Sequence, residues 1–235
     1  MRHAIYFVPP PGDPLGRIAT RWLGRDVFTG TVSDNPAVGK LSSADVAFHT
    51  ASARRYGFHA TMKAPFRLAR GRGEGELVQA FLDFCRDETA FIVPRIKIAR
   101  IGRFFALIPA RPSLEIDALA CKAVMAFERF RAPLSEAELA RRQPGSLTIA
   151  QLRNLHRWGY PHVLDTFRFH MTLTGPVPDS DRATVERAGP EWFAPVIDLP
   201  MNLGSLSLMR EAEPGAPFRV HEHAPLQQLN ERMTA

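Results

Sequence analysis

Two windows of the chain share one pattern of chemically capable residues: Phe58-His59-Ala60-Thr61-Met62-Lys63-Ala64-Pro65-Phe66 and Phe169-His170-Met171-Thr172-Leu173-Thr174-Gly175-Pro176-Val177. Both read Phe-His-x-Thr-apolar-x-x-Pro-apolar, and each histidine is preceded by an aromatic three residues earlier, Tyr56 and Phe167. On a strand, residues two apart share a face. Each window therefore offers an imidazole beside a hydroxyl. Two such windows facing one another would form a cleft suited to a phosphate ester. One imidazole could take the proton of an attacking oxygen while the other protonates the leaving oxygen. Thr61 and Thr172 could donate hydrogen bonds to the non-bridging oxygens as charge shifts onto them. Such an arrangement requires neither a metal nor a cofactor.

Neighbours at the same spacing extend the candidate site. Lys63 follows Thr61 by two and Arg168 precedes His170 by two, so a regular strand would aim both cations into the cleft. Arg would grip phosphate with two parallel bonds, Lys as a point charge. A solvated charge at a strand end is the plainer reading of each. Tyr56 should face away from His59 unless Gly57 inserts a bulge, which would make it a packing residue or a wall of the substrate entrance.

These residues need elements to hold them. Motif strands are expected near 55–63 and 166–174. Ala4–Val8 reads as a buried strand, and Pro14–Leu23 as a helix capped by Asp13 with proline at its first position. Gly24 to Ala53 reads as irregular. Glu76–Arg86 and Leu114–Phe130 carry apolar residues at helical spacing. Ser135-x-x-Glu138 and Thr148-x-x-Gln151 are capping boxes that predict two short helices, the second stopped at Gly159. Pro94–Ile108 holds two strand-like runs broken at Gly102. Ser180–Arg187 reads as helix, Leu203–Arg210 and Phe218–Glu222 as the last strands. With no parallel βαβ rhythm and no glycine-rich phosphate loop after a strand, the pattern favours an α+β fold. Two related lobes within one domain, residues 1–235, would share the cleft.

Rival chemistries are less well supported. His221-x-His223 has a spacing that could seat a metal, yet no HExxH, acidic cluster or paired CxxC accompanies it. No GxSxG elbow suggests a serine nucleophile. Cys85 and Cys121 lie in helix-like stretches and read as reduced thiols. The 235 residues carry 45% hydrophobic and 23% charged side chains with a net charge of +6, and the pI near 9.9 favours an anionic partner. The apolar start, Ala4–Val8, is too short for a membrane span. A cytoplasmic protein with no membrane partner is expected.

The duplicated His-x-Thr strands resemble the signature of the 2H phosphoesterase superfamily. Arg55–Arg67, Phe167–Pro176, Phe130-Arg131-Ala132-Pro133, Arg141-Arg142 and Trp158-Gly159-Tyr160-Pro161 resemble one branch of it, encoded beside bacterial phosphonate-utilisation genes. The resemblance implies a bilobal fold of two pseudo-symmetric lobes, antiparallel sheet with outer helices around a central cleft. It implies that His59 and His170 are catalytic and that Thr61 and Thr172 bind phosphate. It further implies hydrolysis of a cyclic phosphate on a ribose metabolite or nucleotide. Two alternatives stay open: an enzyme acting on 2′–5′ or 2′,3′-cyclic ends of RNA, and a non-catalytic module that binds a phosphorylated ligand.

Overall fold

Sequence-local signals start most of the elements. The computed structural model describes residues 1–228. Strand β1 (Arg2–Phe7) leads through the Asp13-capped helix α1 (Pro14–Leu23) and α2 (Ser43–Arg54) to β2 (Ala60–Phe66). Helix α3 (Glu74–Asp87) is followed by β3 (Phe91–Val93), β4 (Ile96–Ile101) and β5 (Phe104–Pro109). Next come α4 (Leu114–Ala126), α5 (Glu136–Ala140) and α6 (Ile149–Trp158), then β6 (Met171–Thr172). Helix α7 (Arg182–Phe193) precedes β7 (Met201–Leu203), β8 (Ser205–Glu211) and β9 (Arg219–Pro225). Both capping boxes close as read, with the Ser135 and Thr148 hydroxyls accepting from the amides three residues on.

Seven strands form one antiparallel sheet in the order β4-β5-β6-β2-β1-β8-β9, while β3 and β7 make a separate ribbon. The architecture is α+β. The two motif strands are neighbours at the sheet's centre, joined through the pair Ala60↔Met171. Outward from that seam the halves mirror each other: β2 pairs with β1 and β6 with β5, and helices connect each pair in the chain. The expected halves are thus fused into one continuous sheet.

The sheet's two faces are treated differently. Ile5, Phe7, Met62, Leu107, Met171 and Leu208 point into the main core, where Trp22, Phe81, Leu119 and Phe193 from the helices cover them. Their strand neighbours Ala4, Tyr6 and Met209 face the other way and pack with Val8, Val27 and Phe218 in a smaller cluster. Both faces of β1 are covered, which explains its unbroken apolar run.

Three readings of the sequence differ from the fold. The irregular stretch Gly24–Ala53 contains α2, whose buried side carries Val46, His49, Thr50 and Ala53, too polar to give an apolar period. Its capping box is closed by Asp45 rather than Glu or Gln. The first motif strand begins at Ala60, because Arg55 ends α2 and Gly57 turns the chain at φ 74°. The second shrinks to two residues, since Leu164–Thr166 form a 3-10 turn with Leu164 at φ 52°. Cys85 is buried and its thiol is pushed up to about 12 by that burial; Cys121 is partly exposed, and both are free.

Candidate active site

Antiparallel pairing sets the geometry. Extending the Ala60↔Met171 register by one residue puts His59 opposite Thr172 and Thr61 opposite His170. All four side chains then share one face, with the histidines on a diagonal. Diagonal neighbours across an antiparallel pair lie roughly 7–8 Å apart, a span that admits one phosphorus between two ring edges.

The two imidazoles are held in the same manner. His59 Nδ1 lies 2.9 Å from the Gly57 carbonyl oxygen, and His170 Nδ1 lies 2.8 Å from that of Arg168. A carbonyl only accepts, so each Nδ1 carries the proton and donates it. Each neutral ring is thereby left with its lone pair on Nε2, the atom that can accept or deliver a proton. Gly57 is required for this: at its positive φ a Cβ would sit 1.8 Å from Val27 Cγ1.

Surroundings separate the two rings electrostatically. Tyr6, paired with Thr61 across β1 and β2, stacks on His59 with ring centroids 3.9 Å apart. Burial lowers His59 to about 4; its bond to the Gly57 carbonyl opposes the shift and the nearby His170 adds to it. Burial also lowers His170, opposed by the Arg168 carbonyl and assisted by the Arg168 charge. Phe104 packs on His170 at 5.8 Å.

A cleft of about 700 Å3 opens over His59, Thr61 and Thr172, walled by Tyr6, Tyr56 and Tyr160. Five arginines also line it. Arg2 and Arg55 both pair with the buried Glu211, and Arg67 pairs with Glu138 at 2.9 Å. Arg141 and Arg142 have no carboxylate partner among the described residues. The hydroxyls of Thr61 and Thr172 find no protein hydrogen-bond partner among the described residues either, and both stay partly exposed.

The flanking positions divide. Tyr56 does reach the cleft, since Gly57 breaks the strand before His59, and its ring stacks on Phe218 at 5.3 Å. Lys63 does not. Between the pairs Tyr6↔Thr61 and Ile5↔Lys63, two residues of β2 pass one of β1, and this bulge turns Lys63 to the other face. There it is 3% exposed, with Nζ 2.6 Å from Glu128 Oε2 and 2.9 Å from the Val124 carbonyl oxygen. Arg168 precedes the short β6 and lines a separate cavity of about 390 Å3 with Lys97 and Arg111. Its carbonyl, rather than its guanidinium, holds His170. His221 and His223 do not converge on a metal site: His223 meets the Ser207 hydroxyl at 2.8 Å and His221 lies 3.6 Å from Glu74. Among the described residues no group of three or more His, Cys, Asp or Glu is placed to hold a metal ion.

The sequence alone marks neither Tyr6 nor the cleft arginines as site residues, whereas Trp158-Gly159-Tyr160-Pro161 reads as a helix stop that could line a substrate pocket, and Tyr160 does wall the cleft. Tyr6 reads locally as core, and only its cross-strand pairing puts it on His59. Tyr160 follows the αL glycine Gly159, where a Cβ would lie 2.8 Å from Arg131.

The profile of the family described as "Protein of unknown function (DUF1045)" matches residues 61–219. The chain belongs to this family. The match starts just after His59 and includes Thr61, His170 and Thr172. Among similar proteins, "Ribose 1,5-bisphosphate phosphokinase PhnN" of Janthinobacterium sp. (strain Marseille) is 36% identical over 98% of this chain and 52% of its own length. The protein of the same name from Laribacter hongkongensis (strain HLHK9) is 31% identical over 94% of this chain and 50% of its own. The chain spans about half the length of these relatives. A solved structure titled "Crystal structure of phosphoesterase" aligns over 97% of this chain and 98% of its own with a TM-score of 0.44 and 12% identity. Among the described residues of this DUF1045 member, no helix is long and apolar enough to cross a membrane.

Proposed function

We propose that this DUF1045 protein is a metal-independent phosphodiesterase that hydrolyses a cyclic phosphate of a ribose-containing metabolite or nucleotide. One observation carries the reading: two His-x-Thr units on adjacent antiparallel strands, each imidazole donating Nδ1–H to the carbonyl two residues back. Each Nε2 is thereby left to exchange a proton across one phosphate. His59, more strongly lowered and stacked under Tyr6, acts as base. It takes a proton from water as the water oxygen attacks phosphorus. His170, protonated when the anionic ester binds, gives its Nε2 proton to the ribose oxygen as the P–O bond breaks. The product is a phosphate monoester; His59 then releases its proton to solvent and His170 takes one up, which restores the starting state. Thr61 and Thr172 donate to the non-bridging oxygens.

The relatives' names place ribose bisphosphate chemistry on the same polypeptide as a segment like this one, which supports a ribose phosphate as substrate. The sequence resemblance adds a link to phosphonate use. The kinase activity in those names is not assigned to this segment, because the sequence has no GxxxxGK[ST] phosphate loop. A second reading, processing of RNA ends, draws on the exposed Lys97, Arg111 and Arg168 beside His170. A steep loss of RNA affinity with salt would favour it.

The test is turnover of a panel of cyclic phosphates with chelator present. His59→Ala and His170→Ala should each lower kcat by roughly two to four orders of magnitude. Equal rates for wild type and either variant would remove the catalytic assignment.

A further inference from the structure

The two histidines and two threonines account for only part of the cleft. A single phosphate fills a small fraction of about 700 Å3, a volume typical of pockets that enclose whole metabolites. Its charge is also uneven. Glu211 answers Arg2 and Arg55, and Glu138 answers Arg67, whereas Arg141 and Arg142 face the same space with no carboxylate of their own among the described residues.

The pair sits at a constrained turn. Both arginines lie where α5 ends, immediately before Gln143, a non-glycine residue at φ 47°. L-residues with side chains avoid that region. The turn is nonetheless fixed, by Gln143 N–H donating to the Ala140 carbonyl and Ser146 N–H donating to that of Gln143. The Arg142 guanidinium lies over the Tyr160 ring at 4.9 Å, which orients the plane yet leaves its edge N–H groups free for an anion. Arg142 lines the same cleft as His59, Thr61 and Thr172. Arg141 Nε donates to the Ala137 carbonyl at 3.2 Å, and an anion in the cleft would supply both side chains with the counter-charge that no described carboxylate gives them.

We propose that Arg141 and Arg142 form a second anion subsite, so that the substrate is a sugar carrying a terminal phosphate monoester besides the cyclic ester held between the histidines. This rests on the phosphodiesterase reading for what occupies the first position, but the subsite can be tested without turnover.

Titration calorimetry of wild type and the Arg141→Gln/Arg142→Gln double variant with ribose 1,5-bisphosphate and with ribose 5-phosphate tests it. In the wild type the bisphosphate should bind roughly tenfold or more tighter, the scale of one or two charge-assisted hydrogen bonds. In the double variant that ratio should fall toward one. Equal affinities in the wild type, or an undiminished ratio in the variant, would overturn the subsite. Equal wild-type affinities would overturn the subsite even if the variant misfolds. A preserved bisphosphate preference with no turnover of any cyclic phosphate would sink the catalytic reading and leave the subsite standing. Loss of RNA affinity in the variant with the sugar ratio intact would move the arginines to the RNA reading and overturn the proposal.

Discussion

On the phosphodiesterase reading proposed above, the chemistry turns on two imidazoles with unequal surroundings. His59 lies under Tyr6 and is lowered to about 4 by burial, while His170 is lowered from the ordinary imidazole value of 6.5 by burial and by Arg168. A base must be neutral and an acid protonated before the reaction begins. With His59 as base, kcat/KM rises as pH climbs through about 4. With His170 as acid it falls again as pH passes the free-enzyme value of that residue, which lies below 6.5. The kcat/KM profile should therefore be a bell with its optimum on the acid side of 6.5. In kcat the alkaline limb should move to higher pH, because a bound phosphate anion stabilises the imidazolium. Steady-state kinetics across this range checks both limbs. A kcat/KM plateau reaching pH 8 would contradict the assignment of acid and base.

At the scale of elements, what the sequence discloses is what is decided locally. The His-x-Thr spacing, the Asp13 cap and the two capping boxes each need only a few consecutive residues, and all appear in the fold where they were read. Lys63 is the counter-example. Its direction is set by a bulge in the pairing of β1 with β2, which links residues far apart in the chain. Tyr6 is invisible as a site residue for the same reason, and α2 because its buried side is half polar. Two substitutions separate local from distant causes. Lys63→Met should keep kcat within a few-fold, since Glu128 keeps its ion pair to Arg131 at 2.6 Å. Removing one member of a buried ion pair costs about 3–5 kcal/mol when the other is left uncompensated, and the retained Arg131 should keep the loss below that range. A folded Lys63→Met protein as inactive as His59→Ala would return Lys63 to the cleft. Gly57→Ala should be far more damaging. It forces a Cβ against Val27 at positive φ and displaces the carbonyl that holds His59. A loss of about 3 kcal/mol in urea denaturation is expected from strain and overpacking together. A variant as stable as wild type would show that the turn is not constrained as described.

For the whole molecule, the same burial that lowers His59 and His170 makes the fold sensitive to acid. His3, His59, His170 and His223 are all lowered, in each case mainly by burial. On unfolding they return toward 6.5, so below that pH the unfolded chain binds more protons than the folded one. Stability from these groups is complete above 6.5 and declines as pH falls toward their folded values, about 4 for His59. The paired carboxylates act in the same direction further down. Glu138, held at about 2 first by its bond to Arg67, contributes above its ordinary 4.5 and loses that contribution as pH falls through its folded value. Glu211, between Arg2 and Arg55, is also lowered, despite burial that alone would raise it. The net charge of +6 grows as histidines protonate, which adds self-repulsion. Urea midpoints should therefore be level between pH 7 and 8, fall between pH 6.5 and 5, and fall further below 4.5. Because the catalytic bell lies in the declining region, activity and resistance to urea should move in opposite directions with pH on its alkaline limb and fall together on its acid limb. Midpoints unchanged from pH 7.5 to 5 would mean that these imidazoles are not held neutral by the fold, and the acid–base assignment of His59 would go with them.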